Sequence, residues 1–268
     1  MLPILLSLGP IKIYSYGLFL AIGLFLALYF WWKMGRDEHF DEIALFDGYF
    51  LSLIVFLLAG RAAYVMIHSA DFGSIYRTLG LLAYPGVNGV VGIIAAVIFI
   101  ILFARSHGWD EWKVADSVVV AIAITLIFGS MGGLLNGSNP GMEASWGLKY
   151  AGQDVARVPL DVLMLLWSIV TFGVVSRVRK NFRFYAWYKG ESSIAQEGLA
   201  SLVFLALVGL YYLVAPWIDD GMWRVGFVPV QSIVGLGVIM VSGFLIYKRV
   251  GRRNEGIWSK LKSVIRRK

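Results

Sequence analysis

The sequence predicts an all-α integral membrane protein of seven transmembrane helices, with the N-terminus outside and the C-terminus in the cytoplasm. Three observations lead there. Seven long apolar stretches run along the chain, each near the ~20 residues that cross ~30 Å of hydrocarbon at 1.5 Å per residue. Mean hydropathy is +0.73 and only 15% of residues are charged, too little polar surface to coat a soluble globule. Polar residues do not return every third or fourth position as they would on a solvated helix. Lys and Arg outside the spans divide 5 to 18 between the two sides, and the positive-inside bias places the richer side in the cytoplasm.

The spans follow in order. Ile13–Trp32 comes after a short apolar leader that Gly9-Pro10 interrupts with a turn. No basic segment precedes that leader, so no cleavable signal peptide is expected. Ile43–Ile67 carries Arg61 near its outer end. Ala83–Ala104 opens with Pro85 and the glycines at 86, 89 and 92, which predicts irregular backbone, tolerated at membrane depth only under protein or beside a cavity. Val114–Leu135 carries Asp116 and runs into a glycine- and asparagine-rich segment, Gly129–Gly141. Val158–Ser176, Gly198–Trp217 and Gly226–Tyr247 complete the set. Residues 1–247 thus form one membrane domain, including an outer-face loop, 137–157. A basic tail, 248–268, is expected to lie as a cytoplasmic helix against anionic headgroups.

Composition excludes several functions. A net charge of +7 and a pI near 9.5 are explained by the cytoplasmic bias of the basic residues. No phosphate loop, zinc spacing or RNA-binding signature accompanies them, so nucleic acid is not an expected partner. Cysteine is absent, which removes disulfides, thiol nucleophiles and thiolate-ligated metal. His39, His68 and His107 are scattered rather than set at ligand spacing, and no metal site is expected. The spans do not divide into matching halves of the kind many transporters carry.

What remains is polar and glycine residues at membrane depth, where they are costly and tend to serve function. Tyr16 stands at the outer interface, either as an aromatic-belt residue or as part of a site. Arg61 can snorkel or hold a lipid phosphate; Asp47 lies about four turns away on the same helix, too far to pair with it. The run from Tyr84 to Gly92 contains Asn88. The run from Gly129 to Gly141 offers either close helix packing through small residues or exposed amides that bind an anion.

Taken in order, these clusters resemble the prolipoprotein diacylglyceryl transferase family. Gly9-Pro10 followed by Tyr16-Gly17-Leu18 is similar to a family element and places its functional tyrosine on Tyr16. Gly60-Arg61 with Tyr64-Val65 matches a second, and Asp116 falls on an aspartate common in the fourth span. Asn136, Gly137 and Gly141 fit the end of the signature G-R-x-G-N-F-x-N-G-E-x-x-G. Trp146-Gly147, Arg157 with Pro159, and Gln231 fit later landmarks. The resemblance implies transfer of diacylglycerol from phosphatidylglycerol to a lipobox cysteine of a preprolipoprotein, without cofactor or metal, in the bacterial cytoplasmic membrane. The expected partners are phosphatidylglycerol, the preprolipoprotein signal peptide and membrane lipids. It implies catalytic roles for Tyr16 and Asn136, and substrate or phosphate binding by Arg61, Tyr64, Gly137, Gly141 and Arg157. Asp116, Gln231 and Asn88 are expected to support the site.

The chain departs from the family at chemically important positions. Ser130 stands for the signature arginine, Gly133 for its first asparagine and Ser138 for its glutamate. The third-span H-G-G motif meets Val87-Asn88-Gly89, or with a one-residue shift puts Asn88 at the histidine. Val208, Tyr212 and Pro216 replace a tyrosine, an arginine and a glutamate of the sixth span. Asp161, Leu163 and Met164 replace the Gln, Tyr and Glu that follow the Arg-Pro element. Removing one oxyanion-type donor commonly slows a reaction ~10²–10³-fold, and losing a general base a further ~10²–10⁴-fold. Three readings therefore stand: a divergent transferase; a catalytically degenerate relative that binds phospholipid or a signal-peptide helix without turnover; and a small membrane transporter.

Overall fold

The computed structural model describes residues 2–8, 11–80, 84–150, 154–189 and 197–249. The turn at Gly9-Pro10 and nearly all of the basic tail, from residue 250 onward, lie outside the described residues. Among the described residues, seven helices are long and apolar enough to cross a membrane, as the sequence predicts. They are α1 (Ser15–Asp37), α2 (Glu42–Ile67), α4 (Gly89–Ser106), α5 (Glu111–Asn136), α6 (Leu160–Lys189), α7 (Leu199–Val214, extended by a 3-10 turn to Ile218) and α8 (Val230–Arg249); a short α3 (Ile75–Leu79) lies between α2 and α4. The chain is a multi-pass membrane protein.

Local chemistry sets the ends of these helices. Asp41 caps α2 by accepting a hydrogen bond from the Ala44 N–H at 2.9 Å, satisfying a donor that no helical carbonyl can reach. Asn88 caps α4 in the same way through Val91 N–H at 3.0 Å. The irregular backbone expected around Pro85 is present, and it delays the helix to Gly89, six residues beyond the expected start at Ala83. At the far end of α5, Gly137 has φ +73° and donates its N–H to the Gly133 carbonyl at 2.8 Å. A left-handed residue after the last helical position terminates the helix there.

Among the described residues, three antiparallel strand pairs accompany the helices where the sequence reading has loops or helix. They are β1 (Ile4–Leu8) with β2 (Ile11–Tyr14), β3 (Pro140–Lys149) with β4 (Ala156–Pro159), and β5 (Arg224–Val225) with β6 (Val228–Pro229). Five of the six strands have five residues or fewer, and in β1 Ile4, Leu5 and Leu6 are all exposed. An apolar run such as β1, or a strand this short, carries no clear two-residue period.

The described chain forms two compact units. The first contains residues 1–27 and 119 onward. Within it α7 and α8 cross closely: a Cβ on Gly235 would come within 2.6 Å of the Gly209 carbonyl oxygen. Small residues here let two backbones approach, the usual way to gain helix contact where no hydrophobic drive operates. Trp167 on α6 donates to the Leu207 carbonyl of α7 at 3.0 Å. Between α1 and α5, Gly23 packs on Phe128 and Gly132 on the Tyr16 backbone. Leu2 N–H bonds the Leu135 carbonyl at 2.9 Å, and Ser15 Oγ donates to the Leu2 carbonyl. The N-terminal hairpin is thereby tied to the C-terminal end of α5.

The second unit contains residues 28–118. Gly48 and Gly92 bring α2 and α4 together, facing Ile100 with Phe103 and Phe56 respectively. Trp31 donates to the Leu45 carbonyl at 2.8 Å. At the end where α1 turns into α2, Phe40 stacks on Trp109 and Lys113 pairs with Glu38 at 3.3 Å.

Candidate functional site

In the first unit, the helix ends carrying Tyr16, Asn136, Asp161 and Gln231 emerge beside the β3–β4 and β5–β6 hairpins. Tyr16 is the second residue of α1 and is 43% exposed. A Cβ on Gly132 would lie 2.9 Å from its Cα, so α1 meets α5 one turn before Asn136. Asn136, the last residue of α5, is exposed and donates through Nδ2 to Ser138 Oγ at 2.9 Å.

Gly141 is buried at the start of β3, where a Cβ would meet the Ile218 carbonyl oxygen at 2.7 Å and the Val158 carbonyl oxygen at 3.0 Å. No other residue fits without moving main chain. Arg157 on β4 donates to the Gly141 carbonyl at 3.1 Å and pairs with Glu143 at 3.3 Å; Asp220 Oδ2 lies 3.8 Å from its Nη1. Gly147 packs directly on the Arg157 backbone, which accounts for glycine after Trp146. Gln231 occupies the first turn of α8. Its buried Oε1 has no hydrogen-bond partner among the described residues.

The central feature of this end was not among the expected site residues. Asp161, in the first turn of α6, is 2% exposed. Its Oδ1 accepts a 2.7 Å hydrogen bond from Asn139 Nδ2, while its Oδ2 is buried with no partner among the described residues. Tyr16, Tyr150 and Tyr211 all lie within electrostatic reach of its charge. Burial, with Asp161 adding to it, raises the Tyr150 phenol above its ordinary range. A Cβ on Gly133 would sit 2.7 Å from Asp161 Oδ1 and 3.1 Å from Oδ2. Two departures seen separately in the sequence, glycine at 133 and aspartate at 161, are therefore in direct contact. The space freed at 133 holds the carboxylate.

Ser130 offers nothing in place of an arginine. It is buried and its hydroxyl donates back to the Leu126 carbonyl of its own helix at 2.7 Å.

Arg61, Tyr64 and Asn88 belong to the second unit. Arg61 is 8% exposed. Its guanidinium donates to four main-chain carbonyls: Arg77 at 2.7 Å, Thr78 at 2.8 Å, Tyr84 at 2.8 Å and Gly86 at 2.9 Å. The Phe72 ring lies 4.9 Å from Cζ. A guanidinium has five N–H donors, so one is left for any other ligand. Arg77 and Thr78 are at the C-terminal end of α3, where unsatisfied carbonyls and the helix dipole attract a cation. Snorkelling does not describe this residue. Tyr64 stacks on His68 and supports Gly86, where any side chain would strike its ring. Asn88 caps α4 with its side chain, and its N–H bonds the Gly60 carbonyl at 2.9 Å.

Asp116, half-buried, lies in the second turn of α5. Asn136 is the last residue of the same helix, about 30 Å along its axis at 1.5 Å per residue. Asp116, expected to support the site, thus stands at the other end of α5 from Asn136.

Comparison with known proteins gives the family. A model of the prolipoprotein diacylglyceryl transferases matches residues 3–248. The chain belongs to the prolipoprotein diacylglyceryl transferase family. It is 26% identical over 260 residues to phosphatidylglycerol–prolipoprotein diacylglyceryl transferase 2 of Clostridium perfringens, covering 92% of this chain and 95% of the relative. It is 28% identical over 251 residues to the enzyme of that name from Desulfotalea psychrophila, covering 91% and 89%. A Legionella pneumophila enzyme of the same name is 30% identical over 163 residues, 57% of this chain and 61% of the relative.

Proposed function

We propose that this protein transfers diacylglycerol from phosphatidylglycerol to the lipobox cysteine of a preprolipoprotein, in the cytoplasmic membrane of a bacterium. The observation that carries this reading is the family match over residues 3–248, supported by near full-length relatives that bear the activity in their names. In the reaction the cysteine sulfur forms a bond to the terminal glyceryl carbon. The bond from that carbon to phosphate oxygen breaks, the thiol proton passes to the departing phosphate or to solvent, and glycerol phosphate departs. The helix ends of the first unit are proposed to face the outer leaflet. There Tyr16 and Asn136 donate hydrogen bonds to the departing phosphate, charge that develops in the transition state and so rewards preset donors. Gly137 and Gly141 shape the loop around it, and Arg157 and Gln231 line the same end. Arg61, with Tyr64 and Asn88, is assigned to hold the loop between α3 and α4, which makes it a positioning residue more than a phosphate ligand.

One observation favours a second reading, a relative that binds phospholipid or a signal-peptide helix without turnover. Ser130, in place of the signature arginine, is engaged with its own helix. The deciding experiment supplies purified protein with labelled phosphatidylglycerol and a lipobox peptide, using a Cys→Ser peptide as control. Cysteine-dependent product is expected. Folded, lipid-binding protein that yields none would leave the non-catalytic reading standing.

A further inference from the structure

Asn139 is exposed, Asp161 is buried, and one hydrogen bond joins them at 2.7 Å. That length is the short one of charge-assisted bonds. An ionised carboxylate only accepts, so the amide nitrogen of Asn139 must be the atom that faces it. The amide carbonyl oxygen is thereby directed away from Asp161. Donation to a buried carboxylate in a low-dielectric setting polarises the amide and makes its carbonyl a better acceptor. The pair therefore presents an enriched acceptor, with a negative charge behind it, at the end of α5 beside Asn136. A phosphate oxygen is a poor occupant for that position, since it brings no proton and meets the charge of Asp161. A group that donates is a good one.

We propose that Asn139 determines headgroup specificity by accepting a hydrogen bond from a donor on the phospholipid headgroup, a hydroxyl or an ammonium, and that Asp161 is its positioning residue. This rests on the reading, proposed above, that the end of α5 faces phospholipid. Gly133 is part of the device, because any side chain there would displace the carboxylate.

The test measures lipid binding separately from turnover, using the full chain in phosphatidylcholine nanodiscs. Phosphatidylglycerol, with headgroup hydroxyls, is compared with phosphatidylmethanol, which has the same charge and no headgroup donor. Phosphatidylethanolamine supplies the ammonium. Wild type should prefer phosphatidylglycerol, phosphatidylethanolamine or both to phosphatidylmethanol by about threefold to tenfold, the range of one hydrogen bond. The headgroup preferred identifies the donor. Asn139→Ala should abolish the preference, Asp161→Asn should weaken it, and the double variant should behave as Asn139→Ala alone. Equal binding of all headgroups by wild type would overturn the proposal, as would a preference that survives Asn139→Ala. Additive losses in the double variant would remove the positioning role of Asp161. A headgroup preference without transfer in the lipobox assay would defeat the transferase reading and leave this inference intact.

Discussion

At the scale of single residues, chemistry and position separate sharply. Arg61 reads in the sequence as an intramembrane cation seeking a phosphate. In the fold it is a clamp on four carbonyls. Removing it leaves those carbonyls short of donors in a buried place, and Arg61→Ala is expected to cost about 3 kcal/mol of stability. Arg61→Lys should recover little, since an ammonium has three donors on one atom and cannot span two carbonyl groups as the planar guanidinium does. Thermal unfolding in detergent reads both variants. An Arg61→Ala protein of unchanged stability but lost phosphatidylglycerol binding would return the residue to the phosphate role. Tyr16, Asn136, Gly137 and Gly141 are singled out by the sequence because each sits in a recognisable element. Asp161 was visible only as a departure from one. Its meaning depends on Gly133, which is 28 positions earlier in the chain and touches it in space.

At the scale of elements, the helices follow from hydrophobicity and their ends from caps. Asp41, Asn88 and Gly137 stop or start helices for reasons a sequence contains. The hairpins do not announce themselves: β5 ends just before the expected seventh span, β6 lies inside it, and both are only two residues long. Packing between helices is likewise hidden. Gly235 and Gly237 look alike in sequence, yet a Cβ on Gly235 would meet the α7 backbone while one on Gly237 meets nothing within 4 Å. Gly235→Ala should therefore lower the unfolding temperature, with a cost of about 1–3 kcal/mol for forced backbone movement. Gly237→Ala should be neutral or slightly stabilising, by up to about 1 kcal/mol from helix propensity. Equal effects at the two positions would contradict the close crossing of α7 and α8.

At the scale of the whole molecule, orientation is the open physical question that charge can answer. The 5 to 18 division of basic residues predicts that the β5–β6 hairpin faces out and the end of α4 faces the cytoplasm. The chain has no cysteine, so single cysteines report without background. Gly221→Cys should react with a membrane-impermeant maleimide on intact cells, and Ser106→Cys only after permeabilisation. The opposite pattern would reverse the topology. By itself, the sequence determined the class, the number of spans and the family, because hydrophobic length and ordered motifs are local properties that survive without coordinates. Only the tertiary structure decided that Arg61 is engaged by main chain, that Asp116 and Asn136 stand at opposite ends of one helix, and that Asp161 meets both Gly133 and Asn139. Hydrogen bonds and close approaches join residues far apart in the chain, and nothing in a linear pattern records that distance.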